Sequence, residues 1–231
     1  MALKLYIGNK NYSSWSMRPW VLMRQQRIEF DEVRLRLDFD ETSEFKKALS
    51  GISPAGKVPV LVDDGFAVWD TLAITEYLHE RAGGRGVWPT GAQDRARARS
   101  LCAEMHSGFS ALRNLCPMNI EALLPEVGRT LWAEKAELRC DVARIEQMWM
   151  PLLRSHGGPM LFAEFSAIDA FFAPVCSRLR TYALPVSAAV EAYVERVLAL
   201  DSVREWVRDA LTEHDFLEFD EPYRMRPGTP G

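Results

Sequence analysis

The sequence is poor in the residues that build metal centres and disulfide frameworks, with Cys 4 and His 4 in 231 residues. Cys102, Cys116, Cys140 and Cys176 are spaced too widely for a paired-cysteine zinc site or a redox Cys-x-x-Cys, and are expected as buried, reduced thiols. His79, His106, His156 and His214 include no pair at the i, i+4 spacing of a helical metal site, so no metal is expected. Excess positive charge is lacking too. Lys+Arg 28 against Asp+Glu 32 leaves a net charge of -4, which gives no field to gather nucleic-acid phosphates. The one local basic run, Asp94-Arg95-Ala96-Arg97-Ala98-Arg99, reads as a solvated helix face. No apolar stretch approaches the roughly 20 residues of a membrane span. Met1 to Leu5 lacks the apolar core of a secretion signal, and a cytoplasmic location is expected. Neither internal repeats nor low-complexity segments are found.

What is present is a well-formed globular composition, 48% hydrophobic and 26% charged with Trp 7, enough for one large domain or two modest ones. Leu3, Leu5 and Ile7 alternate with polar or amphipathic residues before Gly8, the pattern of a short strand. A polar loop over Asn9 to Ser16 follows, and Pro19 is expected in the first turn of a helix, where its missing N–H is not needed. Phe30, Val33 and Leu35 suit a second strand, and Thr42 to Leu49 a short capped helix. Val58 to Val62, the Asp64-Gly65 turn and Phe66 to Trp69 read as a hairpin, and Asp70-Thr71 opens a helix through Leu72, Ile74, Tyr77 and Leu78. The expected order is β-α-β-α-β-β-α.

Ala82 to Thr90 holds four glycines or prolines among nine residues and marks a linker. From about residue 93 the pattern becomes amphipathic and helical, with breaks expected at Pro117, Pro151 and Gly157-Gly158-Pro159. The expected division is a first domain over 1–82, a linker over 83–92 and an all-α domain over 93–231. The tail from His214 onward is expected either to cover part of the body or to fray.

Three segments point toward a ligand site. Tyr12-Ser13-Ser14-Trp15-Ser16-Met17-Arg18 ends a loop and opens a helix, where free N–H groups and the helix dipole favour an anion, although capping alone would explain a Ser-rich helix start. Lys57-Val58-Pro59-Val60-Leu61 places a proline at the mouth of a strand, as an edge strand also would. Asp70-Thr71 puts an acid and a hydroxyl at a helix start, able to hold an ammonium and a carboxylate or simply to cap.

In order and spacing these segments resemble the glutathione-site segments of the glutathione transferase family, in particular its zeta-like bacterial members with a Ser-Ser-x-Ser-x-Arg helix start. Phe165-Ser166-Ala167-Ile168-Asp169 resembles the family's buried helix with its Ser-x-x-Asp capping box. The resemblance implies a thioredoxin-like domain followed by an all-helical domain, a homodimer, and glutathione as co-substrate. It implies that Ser13 or Ser14 donates to the glutathione sulfur, with Trp15, Arg18 and Lys57 beside the ligand. Val58, before a cis Pro59, would pair with the cysteinyl backbone, and Asp70 and Thr71 would hold the γ-glutamyl end. Lys57 and Lys46 are candidates for the glycyl carboxylate. A second-substrate pocket for a small hydrophobic electrophile is implied near Tyr12, Trp15, His106, Phe109 and Arg113.

This chain departs from the zeta pattern at Thr71, where the family usually has serine, and at Trp15, where zeta members carry the cysteine of their isomerisation chemistry. Ser13-x-x-Ser16 also stands where a thioredoxin carries Cys-x-x-Cys, and a serine cannot form a mixed disulfide. Conjugation or peroxide reduction is therefore expected before isomerisation or disulfide exchange. A non-catalytic glutathione-binding protein is the alternative on the same scaffold.

Overall fold

The computed structural model describes residues 3–84 and 86–225. Its first part runs β1 (Leu3–Ile7), α1 (Ser14–Gln25), β2 (Phe30–Arg34), α2 (Glu44–Ser50), β3 (Val60–Asp63), β4 (Phe66–Trp69) and α3 (Thr71–Arg81), the order expected. The four strands lie in the order β2-β1-β3-β4. β1 pairs parallel with β2, as a strand joined to its neighbour through a crossover helix must, while β3 pairs antiparallel with both β1 and β4. The β3–β4 turn is tight because Asp64 and Gly65 both take positive φ, 48° and 84°, matching the twist of the hairpin.

The second part is helical: α4 (Ala92–Ser107), α5 (Ser110–Leu115), α6 (Pro125–Glu134), α7 (Ala136–His156), α8 (Ala167–Thr181), α9 (Ala188–Leu198) and α10 (Asp201–Leu211), then a single 3₁₀ turn over Glu218–Asp220. A thioredoxin-like sheet with helices is thus followed by an all-helical part. Among the described residues no helix is long and apolar enough to cross a membrane.

α1 is the hinge of the architecture. It packs against β1 of the sheet and against α8 of the helical part, with Met17 and Val21 in the core that the two share. That is why nine of its twelve residues, from Ser14 to Met23, are buried. α8 is buried nearly end to end. Ser166 and Asp169 form the expected capping box at its start, with Asp169 Oδ2 accepting the Ser166 N–H at 2.9 Å. Asp169 also accepts from the Tyr193 hydroxyl at 2.9 Å, tying α8 to α9. Burial raises the Asp169 carboxyl to about 6 against these hydrogen bonds.

Several local expectations need correction. α1 begins at Ser14, so Pro19 is its sixth residue rather than part of the first turn, and Pro151 lies inside α7 instead of ending a helix. In both cases packing of a long apolar face outweighs one lost backbone hydrogen bond. Cys140 is exposed, whereas Cys102, Cys116 and Cys176 are buried. Burial pushes all three buried thiols upward, Cys116 to about 12, which keeps them protonated and unreactive.

The C-terminal segment does not fray over its described part. Glu213 accepts the N–H groups of Lys10 and Asn11 at 2.7 and 3.2 Å, and Asp215 accepts from Asn9 at 3.0 Å. Residues 226–231 of the expected tail lie outside the described residues. Lys10 itself is buried against the rings of Trp20 and Trp206, and its ammonium lies 2.8 Å from Glu32 and 2.7 Å from Asp209. The loop between β1 and α1 is therefore held from three directions. Gly8 opens this loop, and a Cβ there would fall 2.6 Å from Leu37 Cδ2, so no larger residue fits without displacing that side chain.

Candidate functional site

Three separate chain segments converge on one cleft of about 310 Å³, lined by Trp15 from α1, Lys57, Val58 and Pro59 before β3, and Asp70 and Thr71 at the start of α3. His106 of α4 closes it from the helical part. The convergence follows from topology: the α1 N-terminus, the entry to β3 and the α3 N-terminus all meet at one end of the sheet, the usual place for ligands in open α/β sheets. Val58-Pro59 is cis. Ala55 and Trp69 complete the lining and were missed by sequence reasoning, although Trp69 immediately precedes Asp70.

Asp70 is the N-cap of α3 and accepts the Leu72 N–H through Oδ1 at 2.8 Å. It does so at φ 75°, ψ 134°, a backbone conformation rare for any residue but glycine, and such strain concentrates at functional sites. Its other oxygen, Oδ2, lies 3.1 Å from His106 Nε2, while His106 Nδ1 lies 3.4 Å from Thr71 Oγ1. One imidazole from α4 thus touches both residues of the Asp-Thr pair. Burial lowers the His106 basicity below its ordinary value, Asp70 opposing and Arg18 and Arg113 adding to the effect.

Ser13 is the N-cap of α1 and Ser14 its first residue, both buried and neither part of the cleft lining. The Ser13 hydroxyl donates to Ser16 Oγ at 2.7 Å, and Ser16 Oγ also accepts the Gly8 N–H at 3.1 Å. Ser14 Oγ accepts from the Arg178 guanidinium of α8 at 3.3 Å.

Trp15 joins the cleft to a cluster of cations. Its ring meets His106 edge-on at 4.9 Å, and the guanidinium groups of Arg18 and Arg113 lie 4.2 and 5.1 Å from its centroid. Arg18 is buried, with Nε and Nη1 lacking a hydrogen-bond partner among the described residues. Burial, then the neighbouring Arg178 and Arg113, lowers it to about 9, so it is still charged at neutral pH. Arg18 does not line the cleft, its guanidinium lying between the rings of Trp15 and Phe171 at 4.2 and 5.1 Å.

Of the five residues expected around a second substrate, the structure brings only Trp15 and His106 to the cleft. Tyr12 is placed elsewhere, because its hydroxyl donates to Glu221 at 2.6 Å and lies 3.1 Å from the Asp215 carbonyl, against the C-terminal segment. Phe109 is buried in the core at the start of α5. Arg113 donates to the carbonyls of Met105 and His106 at 3.3 and 3.0 Å, bracing the end of α4. Lys46 faces Glu41 at 3.8 Å and is not part of the cleft lining, whereas Lys57 is.

A thioredoxin-like sheet opens its strand-entry proline and two helix N-termini into one cleft, beside an all-helical part. Residues 12–81 match the glutathione S-transferase N-terminal domain family. Maleylacetoacetate isomerase of Rattus norvegicus is 30% identical over 135 residues, 57% of this chain and 59% of that protein. Glutathione S-transferase 1 of Dianthus caryophyllus is 29% identical over 174 residues, 74% of this chain and 75% of that one. The chain thus spans little more than half the length of the rat relative. In fold it is similar to a glutathione transferase homologue from Burkholderia solved with bound glutathione, at TM-score 0.67 and 24% identity over 92% of this chain and all of that one. Residues 12–81 thus carry a glutathione S-transferase N-terminal domain, and the chain as a whole is similar in fold to a glutathione transferase homologue.

Proposed function

We propose that the protein binds glutathione in this cleft and stabilises its thiolate for attack on a small hydrophobic electrophile. The observation that carries the proposal is the convergence of Trp15, Val58-Pro59 and Asp70-Thr71 on one cavity, since these are the segments that a tripeptide thiol requires. Val58 supplies backbone N–H and C=O for pairing with the cysteinyl residue in the manner of an added strand. Asp70 takes the γ-glutamyl ammonium, Thr71 the γ-glutamyl carboxylate, and Lys57 the glycyl carboxylate. The sulfur is then directed to the first turn of α1, where Ser13 and Ser14 stand and where oriented N–H groups favour a negative charge. The electrophile rests on the aromatic surface of Trp15 and Trp69, with His106 at its edge. A homodimer, with residues 1–82 as the glutathione domain and residues beyond the linker at 83–92 as the second domain, belongs to the same proposal.

Calorimetry with glutathione, followed by thiol-consumption assays across aryl halides, enals and organic peroxides, tests this reading. Saturable one-site binding with turnover of at least one class is expected. Binding without turnover of any would leave a glutathione-binding protein, and absence of binding would overturn the proposal.

A glutathione-dependent isomerase is the second reading, favoured by the relatives named maleylacetoacetate isomerase. It is distinguished by conversion of a cis-enedione acid without net loss of thiol. Trp15, in place of a thiol, argues for the first reading.

A further inference from the structure

We infer that the groove between α8 and α10 is a second ligand site, fitted to a small amphipathic anion with an aliphatic tail and one acidic head, of the class of a medium-chain carboxylate. It is separate from the cleft, since no residue lines both.

The groove holds about 790 Å³, against about 310 Å³ for the cleft, and falls in the size range of small-molecule sites. Its lining follows from helix periodicity. Ser202, Val203, Trp206 and Ala210 of α10 are buried, and α10 packs on α1. Val207 and Leu211 occupy the next stripe of the helix and Arg204 and Arg208 the one after, so an apolar row runs beside a cationic row. α8 supplies Ser177, Arg180 and Thr181, at the i, i+3, i+4 spacing of one face. Leu198 at the end of α9 and Leu123 in the loop between α5 and α6 extend the apolar lining.

Leu123 is 69% exposed and Leu211 45%. Single exposed aliphatic residues are ordinary on a protein surface, but these two share one concavity with the half-buried Ile120, Leu198 and Val207. The wall that carries Leu123 is fixed. Ile120 and Glu121 donate their N–H groups to Asn11 at 3.2 and 2.8 Å, Leu124 donates to the Thr181 carbonyl at 2.8 Å, and the Thr181 hydroxyl donates to the Asn119 carbonyl at 3.1 Å. Folding Leu123 inward would break these bonds. The groove is thus formed before a ligand arrives.

Charge selects the head group. The lining contains three arginines and one carboxylate, Glu121, which Arg224 already meets at 3.0 Å. Arg180 pairs with Glu195. Arg208 lies 3.3 Å from Asp209, whose other oxygen is 2.7 Å from Lys10, and Arg204 meets no carboxylate among the described residues. Arg204 and Arg208, four residues apart on one helix, repel each other, and an anion held between them relieves that repulsion. This cationic row runs against the net charge of -4 of the whole chain. The head of the ligand meets Arg204 and Arg208, and the tail lies over Val207, Leu211 and Leu123. A single amphiphile fits better than a membrane surface, because the apolar residues line a hollow.

Calorimetric titration with decanoate, below its micellar concentration, tests the site in wild type, in the double variant Arg204→Gln with Arg208→Gln, and in Leu211→Asp. All three substituted side chains are exposed, so the fold should survive, and circular dichroism checks this. One saturable site is expected. Butyrate, for want of tail, and decanol, for want of charge, should bind at least about tenfold more weakly. The double variant should lose about tenfold in affinity and Leu211→Asp more. Saturation of the cleft with S-methylglutathione, which has no ionisable thiol, should leave decanoate binding unchanged. The inference is overturned by absence of saturable binding up to millimolar decanoate, by equal affinity for decanoate and decanol, by wild-type binding in both variants, or by displacement with S-methylglutathione. Retention on phosphatidylglycerol vesicles without binding of free decanoate overturns it in favour of a membrane-facing surface. The variants report on the groove whether or not the cleft takes glutathione, so failure of that reading is distinguishable from failure of this one.

Discussion

His106 Nε2 lies 3.1 Å from Asp70 Oδ2, a contact between α4 of the helical part and the N-cap of α3. An imidazolium paired with Asp70 would compete for the carboxylate expected to hold the γ-glutamyl ammonium. Since burial lowers the His106 basicity, protonation falls on the acid side of the ordinary histidine value of about 6.5. Glutathione affinity should therefore weaken below that pH more steeply in wild type than in His106→Asn. Calorimetric Kd values across this range check it, and parallel curves would contradict it.

Asp70→Asn and Thr71→Val should each raise the Kd for glutathione and for S-methylglutathione by roughly tenfold or more, because a hydrogen bond to a charged group is worth about 1.5–3 kcal/mol. The bound-thiol pKa should stay near wild type in both, as neither residue is placed to meet the sulfur. An unchanged Kd would remove the Asp-Thr pair from the site.

Glu221 accepts from the Tyr12 hydroxyl at 2.6 Å and pairs with Arg224, which also pairs with Glu121. All this lies under the segment that covers the loop leading to Ser13. Glu221→Ala leaves a buried guanidinium short of its partner and is expected to destabilise the fold by about 3 kcal/mol. Turnover should fall further than stability alone explains, as the loop that presents α1 loosens. Chemical denaturation and kcat measured below the unfolding transition separate the two effects.

Asp169 gives a stability prediction with a definite sign. Its folded-state carboxyl is raised to about 6 from 3.8, so the folded protein binds this proton more readily than the unfolded chain. This group's contribution to stability therefore increases as pH falls through about 6 toward 4 and is smallest at neutral pH. The stability difference between wild type and Asp169→Asn should shift in favour of wild type over that window. Denaturant midpoints at several pH values measure it, and a difference independent of pH would contradict the assignment.

Much of the fold was legible in the sequence because the first part obeys local rules. Alternation marks β1, Asp64-Gly65 marks the hairpin, and Ser166 with Asp169 marks the start of α8. Pro151 misled because a proline reads locally as a stop, whereas α7 is held by the apolar face formed by Leu138, Val142, Ile145, Met148 and Trp149. At the site, the cleft residues 57–59 and 70–71 were legible from short motifs. What escaped was long-range partnership: Tyr12 is claimed by Glu221, Ser14 by Arg178 and Asp70 by His106. Such pairs carry no signal in a single sequence, since each residue has an ordinary local role as loop aromatic, helix start or cap.

A crystal structure of the glutathione complex tests the central claim most directly, through the position of the sulfur. The account predicts glutathione extended along Val58, its γ-glutamyl end at Asp70 and Thr71, and its sulfur within about 3.5 Å of the hydroxyl of Ser13 or Ser14, reached through a small movement of the Trp15 side chain. Glutathione bound outside this cleft, or bound within it with its sulfur remote from both serines, would contradict the account.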